Sequence, residues 1–249
     1  MHPGQLVVIA ARPAHGKSTL AINLARSCAV AEGRPVLLFS PQMSRLDIQR
    51  RVMSAEGRIP LHHLTHRRPT GDDLQAFTEA MPRVAKAALT VDTTARPDVD
   101  AIRSQCHRMR TRGGVDLLIV DTVHELAPAR RYDNRYGELE EISRSLKRVA
   151  RELGIPVVVT AQLNRDPETR PAREPRPSDI RDCGAFEEDA DLVVLINRDD
   201  VHDPRSPRAG EADLIVAKHR NGPTGRLTVA FQGHLARFID LAADYTPRV

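Results

Sequence analysis

The sequence predicts an α/β protein: a mainly parallel β-sheet flanked by helices, with antiparallel strands at its C-terminal edge. Three observations carry this. Short, continuous apolar runs recur at residues 6–10, 36–39, 117–120, 155–160 and 192–196, and a strand apolar on every side chain is one covered on both faces. Between them lie stretches with helical periodicity, so strand and helix alternate. The last apolar runs, 214–217 and 227–231, follow each other without helices, so they pair antiparallel at one edge.

In order, residues 6–10 read as a buried strand, followed by a Gly-Lys-Ser turn and a helix over 19–31. A strand at 36–39 precedes a helix over 44–55, and a helix over 72–85 precedes a strand at 89–91. A helix over 99–109 leads to the strand 117–120, which ends in Asp121. Residues 138–153 form a strongly amphipathic helix before the strand 155–160. Two loops are long and basic: 127–137 with Arg130, Arg131 and Arg135, and 164–182 with Arg165, Arg170, Arg173, Arg176 and Arg181. Pro167, Pro171, Pro175 and Pro177 predict that the second is mobile without a partner.

The 249 residues carry a net charge of +4, from 37 Lys plus Arg against 33 Asp plus Glu, and 41% are hydrophobic. This is a globular composition, and one domain spanning 1–249 is expected. No apolar run approaches the roughly 18 residues of a membrane span. The N-terminal residues lack a basic, apolar leader pattern. Cys28, Cys106 and Cys183 are too scattered for a disulfide framework or zinc site. These features predict a cytoplasmic protein. Aromatics are 3% with no Trp, so extensive base stacking is not expected. Only four lysines occur, Lys17, Lys86, Lys147 and Lys218. Lys17 and Lys218 fall in motifs, whereas chance accounts for Lys86 and Lys147.

Ala11-Arg12-Pro13-Ala14-His15-Gly16-Lys17-Ser18-Thr19 follows a strand and opens a helix. That is the context of a P-loop, G-x-x-x-x-G-K-[ST], with Ala in the first Gly position. Backbone N–H groups and the helix N-terminus cradle phosphates. Gly16 allows close backbone approach, Lys17 reaches the terminal phosphates, and the Ser18 hydroxyl is offered to Mg²⁺. Asp121, after four apolar residues, suits the metal-holding carboxylate of such a site.

Further segments resemble the RecA-like motor domain of replicative, DnaB-type hexameric helicases. Leu38-Phe39-Ser40-Pro41-Gln42-Met43 is similar to its F-S-L-E-M. Ala161-Gln162-Leu163-Asn164-Arg165 resembles S-Q-L-N-R. Residues 178–184 followed by 187–191 resemble S-D-L-R-E-S-G and E-Q-D-A-D, and residues 218–225 resemble K-x-R-N-G-P-x-G. The Ala-Arg-Pro opening of the phosphate loop belongs to the same pattern.

The resemblance implies a RecA-like P-loop NTPase that binds ATP and Mg²⁺ and moves along single-stranded DNA as a homo-oligomeric ring, a hexamer in this family, with replication partners. It assigns ATP binding to Pro13, Ala14, His15, Gly16, Lys17, Ser18, Thr19 and Arg51. It assigns metal binding to Ser18 and Asp121, γ-phosphate sensing to Gln162, and trans action on a neighbour's ATP to Lys218 and Arg220. It assigns the DNA backbone to Arg181, Asp182 and Gly184.

Two departures stand out. Gln42 occupies the position of the family's water-activating Glu, and an amide can orient water but not take its proton. Glu125, four residues past Asp121, reads as a solvated loop carboxylate, with a relocated catalytic carboxylate as the alternative. The family's N-terminal primase-interacting domain and linker helix have no counterpart in these residues, so weak assembly of this short chain is expected. Two functions remain in view: a helicase motor, slow hydrolysis included, and an ATP-binding module with little hydrolysis that serves as an assembly or regulatory partner.

Overall fold

The computed structural model describes residues 1–66, 69–165, 170, 174–181 and 184–241. Nine strands form one sheet in the order β3-β2-β4-β5-β1-β6-β7-β8-β9. They are β1 (Leu6–Ala11), β2 (Val36–Phe39), β3 (Leu89–Asp92), β4 (Leu117–Val120), β5 (Val157–Gln162), β6 (Leu192–Asn197), β7 (Glu211–His219), β8 (Gly225–Gln232) and β9 (Arg237–Ile239). The first six run parallel. The last three add antiparallel, as the absence of intervening helices predicts.

Among the described residues the α-helices are α1 (Lys17–Arg26), α2 (Arg45–Gly57), α3 (Leu61–Thr65), α4 (Gly71–Lys86), α5 (Val99–Arg110), α6 (Arg135–Leu153) and α7 (Gly184–Asp189). The central strands are buried on both faces. In β1, Leu6, Val8 and Ala10 face the cluster completed by α5, α6 and α7. Val7, Ile9 and Ala11 face the cluster completed by α1 and α2. In α6, Leu139, Ile142, Leu146, Val149 and Leu153 recur at helical spacing and are all buried.

Several boundaries differ from the expectations for local reasons. The helix expected over 19–31 is α1 followed by a π-helical turn, Ser27–Ala31, closed by Glu32 N–H donating to the Ser27 carbonyl at 3.1 Å. Helix α6 starts three residues early because the Asn134 side chain accepts from Gly137 N–H at 2.8 Å, which removes Arg135 from the expected loop. Strand β7 starts at Glu211 despite two acidic residues. The Arg208 guanidinium grips Asp213 through two bonds, 2.9 and 2.7 Å, and Glu211 through a third at 3.0 Å, so the buried charges are paired. Helices α3 and α7 escape sequence periodicity because neither reaches two full turns, and β9 because it has three residues.

Helix α1 is tied to the far end of the chain through Asn23. Its amide donates to the carbonyls of Thr19 and Ala236, both at 3.0 Å, and its oxygen accepts from Phe238 N–H at 3.1 Å. Asn23 is buried. Asn23→Ala leaves two backbone groups of the β9 region unpaired in the interior, so it should cost about 1–3 kcal/mol of stability. A lower urea midpoint at unchanged m-value is the expected measurement.

Candidate functional site

The parallel strands end along one edge of the sheet, and their following loops meet there. After β1 the chain bends through two left-handed residues, Ala14 (φ 66°) and Gly16 (φ 96°), before α1 begins at Lys17. Helix α1 has no side-chain cap and no acidic residue in its first turn. Its N-terminal N–H groups are therefore arranged for an anion. Pro13 and Ala14 are exposed, Lys17 and Ser18 half-buried, and Thr19 buried.

This loop rests on the antiparallel edge of the sheet. A Cβ on Gly16 would approach Phe238 to 2.9 Å and Phe231 to 3.1 Å. The two rings pack with centroids 4.9 Å apart. Arg198 lies over the Phe231 ring at 3.7 Å and donates to the Ala14 carbonyl at 3.2 Å. His15 turns inward, its Nδ1–H donating to the Pro13 carbonyl at 3.0 Å. Burial lowers its pKa, outweighing that bond, with His202 and Arg198 adding to the effect. The His15 ring is thus part of the loop's packing.

Ser18 Oγ donates to Asp121 Oδ1 at 3.1 Å, joining α1 to the end of β4. Thr160 Oγ1 donates to the same oxygen at 2.5 Å, and Asp121 is buried. A hydroxyl and a carboxylate oxygen at this spacing are the donor set of a small hard cation. The peptide between Asp121 and Thr122 is cis.

Past Asp121 a 3-10 turn, Val123–Glu125, carries two groups the sequence reading undervalued. The Gln162 backbone N–H donates to His124 Nε2 at 3.1 Å. Glu125 is half-buried and has a partner the sequence does not signal: the exposed Gln42 Nε2 donates to its Oε1 at 2.7 Å, in a solvent-exposed bond. No local pattern signals this pair, because 83 residues separate the two side chains.

Gln162 ends β5 directly beside Ala11 of β1. Its carbonyl accepts from Arg181 N–H at 2.9 Å, Asn164 N–H donates to the Asp179 carbonyl at 2.8 Å, and Leu163 bridges to Ile180. The segment through Arg181 is thus added to the end of β5 as a short antiparallel strip. Within it Asp179 accepts two bonds from Arg170, 2.7 and 2.6 Å. Gly184 opens α7 and is exposed, as is Arg181. Asp182 lies outside the described residues, as do Pro167, Pro171, Arg173 and Cys183.

Lys218 and Arg220 end β7 and begin the turn to β8. The Lys218 ammonium donates to the Glu187 and Glu188 carbonyls of α7 at 2.6 and 2.8 Å. Burial and the nearby Arg220 guanidinium lower its pKa. Arg220 pairs with Asp191 at 3.2 Å. Arg51 lies half-buried on α2. Among the described residues no hydrogen bond or ion pair joins it to the phosphate loop.

Asp191 is itself a junction. One carboxylate oxygen accepts from Leu6 N–H at 2.8 Å and from Lys147 of α6, which also donates to the Gly4 carbonyl at 3.0 Å. Lys147 therefore has a structural task that chance does not describe. It fastens α6 to the start of β1.

The residues that form this site match the family described as "DnaB-like helicase C terminal domain" over residues 1–240. The chain belongs to that family. It is 43% identical over 242 residues to the replicative DNA helicase DnaB of Leifsonia xyli subsp. xyli, covering 97% of this chain and 53% of that protein. It is 41% identical to the DnaB of Mycobacterium leprae, covering 92% of this chain and 38% of that protein. The chain thus spans about half the length, or less, of these curated relatives. A solved structure described as an ATPase domain superposes with a TM-score of 0.92 at 29% identity, covering 97% of this chain and 86% of that one. A DnaB-like replicative helicase, solved in a study of its interactions with primase, gives the same score and identity over 97% of this chain and 58% of that one. The family's RecA-like sheet is the one described above. Among the described residues no helix is long and apolar enough to cross a membrane.

Burial alone would raise the Asp191 carboxyl, but Lys147, the Leu6 N–H and Arg220 outweigh it and hold the pKa below its ordinary value. A depressed folded-state pKa stabilises above the unfolded value of about 4, and that stabilisation is lost as pH falls through the folded value. Lys147→Met removes the strongest of the lowering partners. Acid unfolding followed by circular dichroism should then start at higher pH than in the unaltered protein.

Proposed function

We propose that this chain is an ATP-hydrolysing DNA translocase unit, the motor part of a helicase that works on single-stranded DNA as a homo-oligomeric ring. The observation that carries the reading is the convergence of the uncapped α1 N-terminus, the Ser18–Asp121 pair and the end of β5 on one sheet edge. In this reading the backbone of 13–16 and Lys17 bind the phosphates of ATP. Ser18 and Asp121 hold Mg²⁺, which supplies charge neutralisation at the phosphates.

Gln162 is assigned to the γ-phosphate, and Arg181 and Gly184 to the DNA backbone. Two backbone hydrogen bonds connect the two, so a shift at Gln162 is passed to Arg181 without relying on side chains. Lys218 and Arg220 are assigned to the ATP of a neighbouring subunit. Inside their own subunit they are held by α7 carbonyls and Asp191, so engaging a neighbour means exchanging those partners. Hexameric symmetry and replication partners belong to the same proposal.

A second reading is favoured by one residue. Gln42 cannot accept a proton, and an ATP-binding module with little hydrolysis fits that chemistry. Phosphate release by the assembled protein with Mg²⁺, with and without single-stranded DNA, separates the two. DNA-stimulated release supports the motor.

Two substitutions test the assignments. Lys17→Ala should weaken ATP binding by about tenfold or more, because it removes charge-assisted contacts, whereas Lys86→Ala should leave it unchanged by calorimetry. Arg181→Ala should weaken single-strand binding for all base sequences alike. It should also flatten the log–log salt dependence by about 0.7 for one lost phosphate contact.

A further inference from the structure

We propose that Glu125 is the general base of the hydrolytic site and that Gln42 is its positioning residue. The inference rests on the ATP-hydrolysing reading above and names the group that does what Gln42 cannot.

The geometry begins in the sheet. Strands β2 and β4 are neighbours in register, Phe39 opposite Val120, and Asp121 N–H donates to the Phe39 carbonyl at 2.8 Å. The segments that leave them, 40–42 and 121–125, therefore run out of the sheet side by side. They meet again where Gln42 Nε2 donates to Glu125 Oε1 at 2.7 Å. An amide N–H can only donate, so the carboxylate oxygen it meets accepts. Among the described residues the other Glu125 oxygen has no hydrogen-bond partner.

Glu125 is held from both sides. Val123 and Leu126, on either flank, are fully buried. Thr122 Oγ1 donates to the Thr160 carbonyl at 2.7 Å, and Glu125 N–H closes the turn on the Thr122 carbonyl at 3.1 Å. A carboxylate fixed by a packed turn and oriented by an amide meets the requirements for a base on a rigid support. Its competitors are otherwise engaged. Asp121 is bound to Ser18 and Thr160. Asp92, at the end of outermost β3, accepts from Thr94 N–H at 2.8 Å.

The step balances without a further reagent. A water oxygen bonds to the γ-phosphorus while the bond from that phosphorus to the β–γ bridging oxygen breaks, its electron pair leaving with ADP. The water proton passes to Glu125, which returns it to solvent after phosphate departs.

The test uses the assembled protein with Mg²⁺ and single-stranded DNA. It follows single-turnover phosphate release, steady-state kcat and KM, and binding of a non-hydrolysable ATP analogue. Glu125→Gln keeps shape and hydrogen bonding, and it should lower kcat by about 10²–10⁴-fold with analogue affinity unchanged. Gln42→Glu alone puts two carboxylates in contact, where they compete for one proton, and should not raise kcat. The exchanged pair, Gln42→Glu with Glu125→Gln, restores one amide and one carboxylate across the same hydrogen bond. It should recover most of the turnover lost in Glu125→Gln, which a merely structural role for either residue does not produce. Turnover of Glu125→Gln equal to the unaltered protein overturns the base assignment alone. ATP binding through Lys17 with no phosphate release from the unaltered protein overturns the hydrolytic reading, and the base assignment with it.

Discussion

Everything at the candidate site depends on how β1 is enclosed. The strand pairs with β5 on one side and β6 on the other, and its side chains are buried on both faces. None of its backbone can reach water except at its ends. Its direction and depth in the sheet are therefore set by many weak contacts at once. The turn after Ala11 emerges at a point it cannot adjust. Asp191 and Lys147 secure the other end of the strand: Leu6 N–H, at the sheet margin, is satisfied by the Asp191 carboxylate. An ion pair of this kind adds little over an apolar contact when intact, but losing one partner leaves a buried charge uncompensated. Its contribution is register: it ties α6, β1 and the chain entering β6 to a common origin.

The phosphate-loop turn then has to be supported from below, and the antiparallel edge supplies the support. Phe231 and Phe238 fill the space a side chain at position 16 would need, and Arg198 spans from the Phe231 ring to the Ala14 carbonyl. Gly16 is thus required twice, by its left-handed backbone and by the rings beneath it. In a chain so poor in aromatics, two of five Phe residues are placed under one loop. Strands β7–β9 extend the sheet, and through β9 and Asn23 they also hold α1 at the angle from which its N-terminus faces the site.

The sequence disclosed what is local. Buried parallel strands are continuous apolar runs, and a Gly-Lys-Ser between strand and helix marks the start of α1, so the parallel strands, the antiparallel edge and the turn into α1 were legible, though not their exact bounds. What it hid is pairing at long range. Asn23 meets Ala236 across 213 positions, Gln42 meets Glu125 across 83, and Lys147 meets Asp191 across 44. No periodicity encodes such distances. Charged residues were misjudged for the same reason. Lys147 resembled a chance survivor because its partner Asp191 lies on another element, and the contact of Glu125 with Gln42 was hidden in the same way. Glu211 and Asp213 shortened the expected β7 because Arg208, outside that strand, neutralises them.

On the proposed reading, the connection between the nucleotide edge and the DNA segment is made of a different material from the chemistry. Catalytic groups act through side-chain atoms and can be exchanged or relocated, as is proposed for the Gln42–Glu125 pair. The strip joining β5 to residues 179–181 is backbone: Gln162 carbonyl to Arg181 N–H and Asn164 N–H to Asp179 carbonyl. The Arg12 guanidinium adds one side-chain bond, to the Leu163 carbonyl at 3.0 Å. Substitution of side chains leaves backbone pairing possible, so this strip can persist while the side chains at positions 42 and 125 change. On the proposed reading, drift at position 42 therefore alters how fast the unit cycles before it alters what each cycle moves. A chain can pass between motor and slow ATP-dependent module without dismantling the mechanical part.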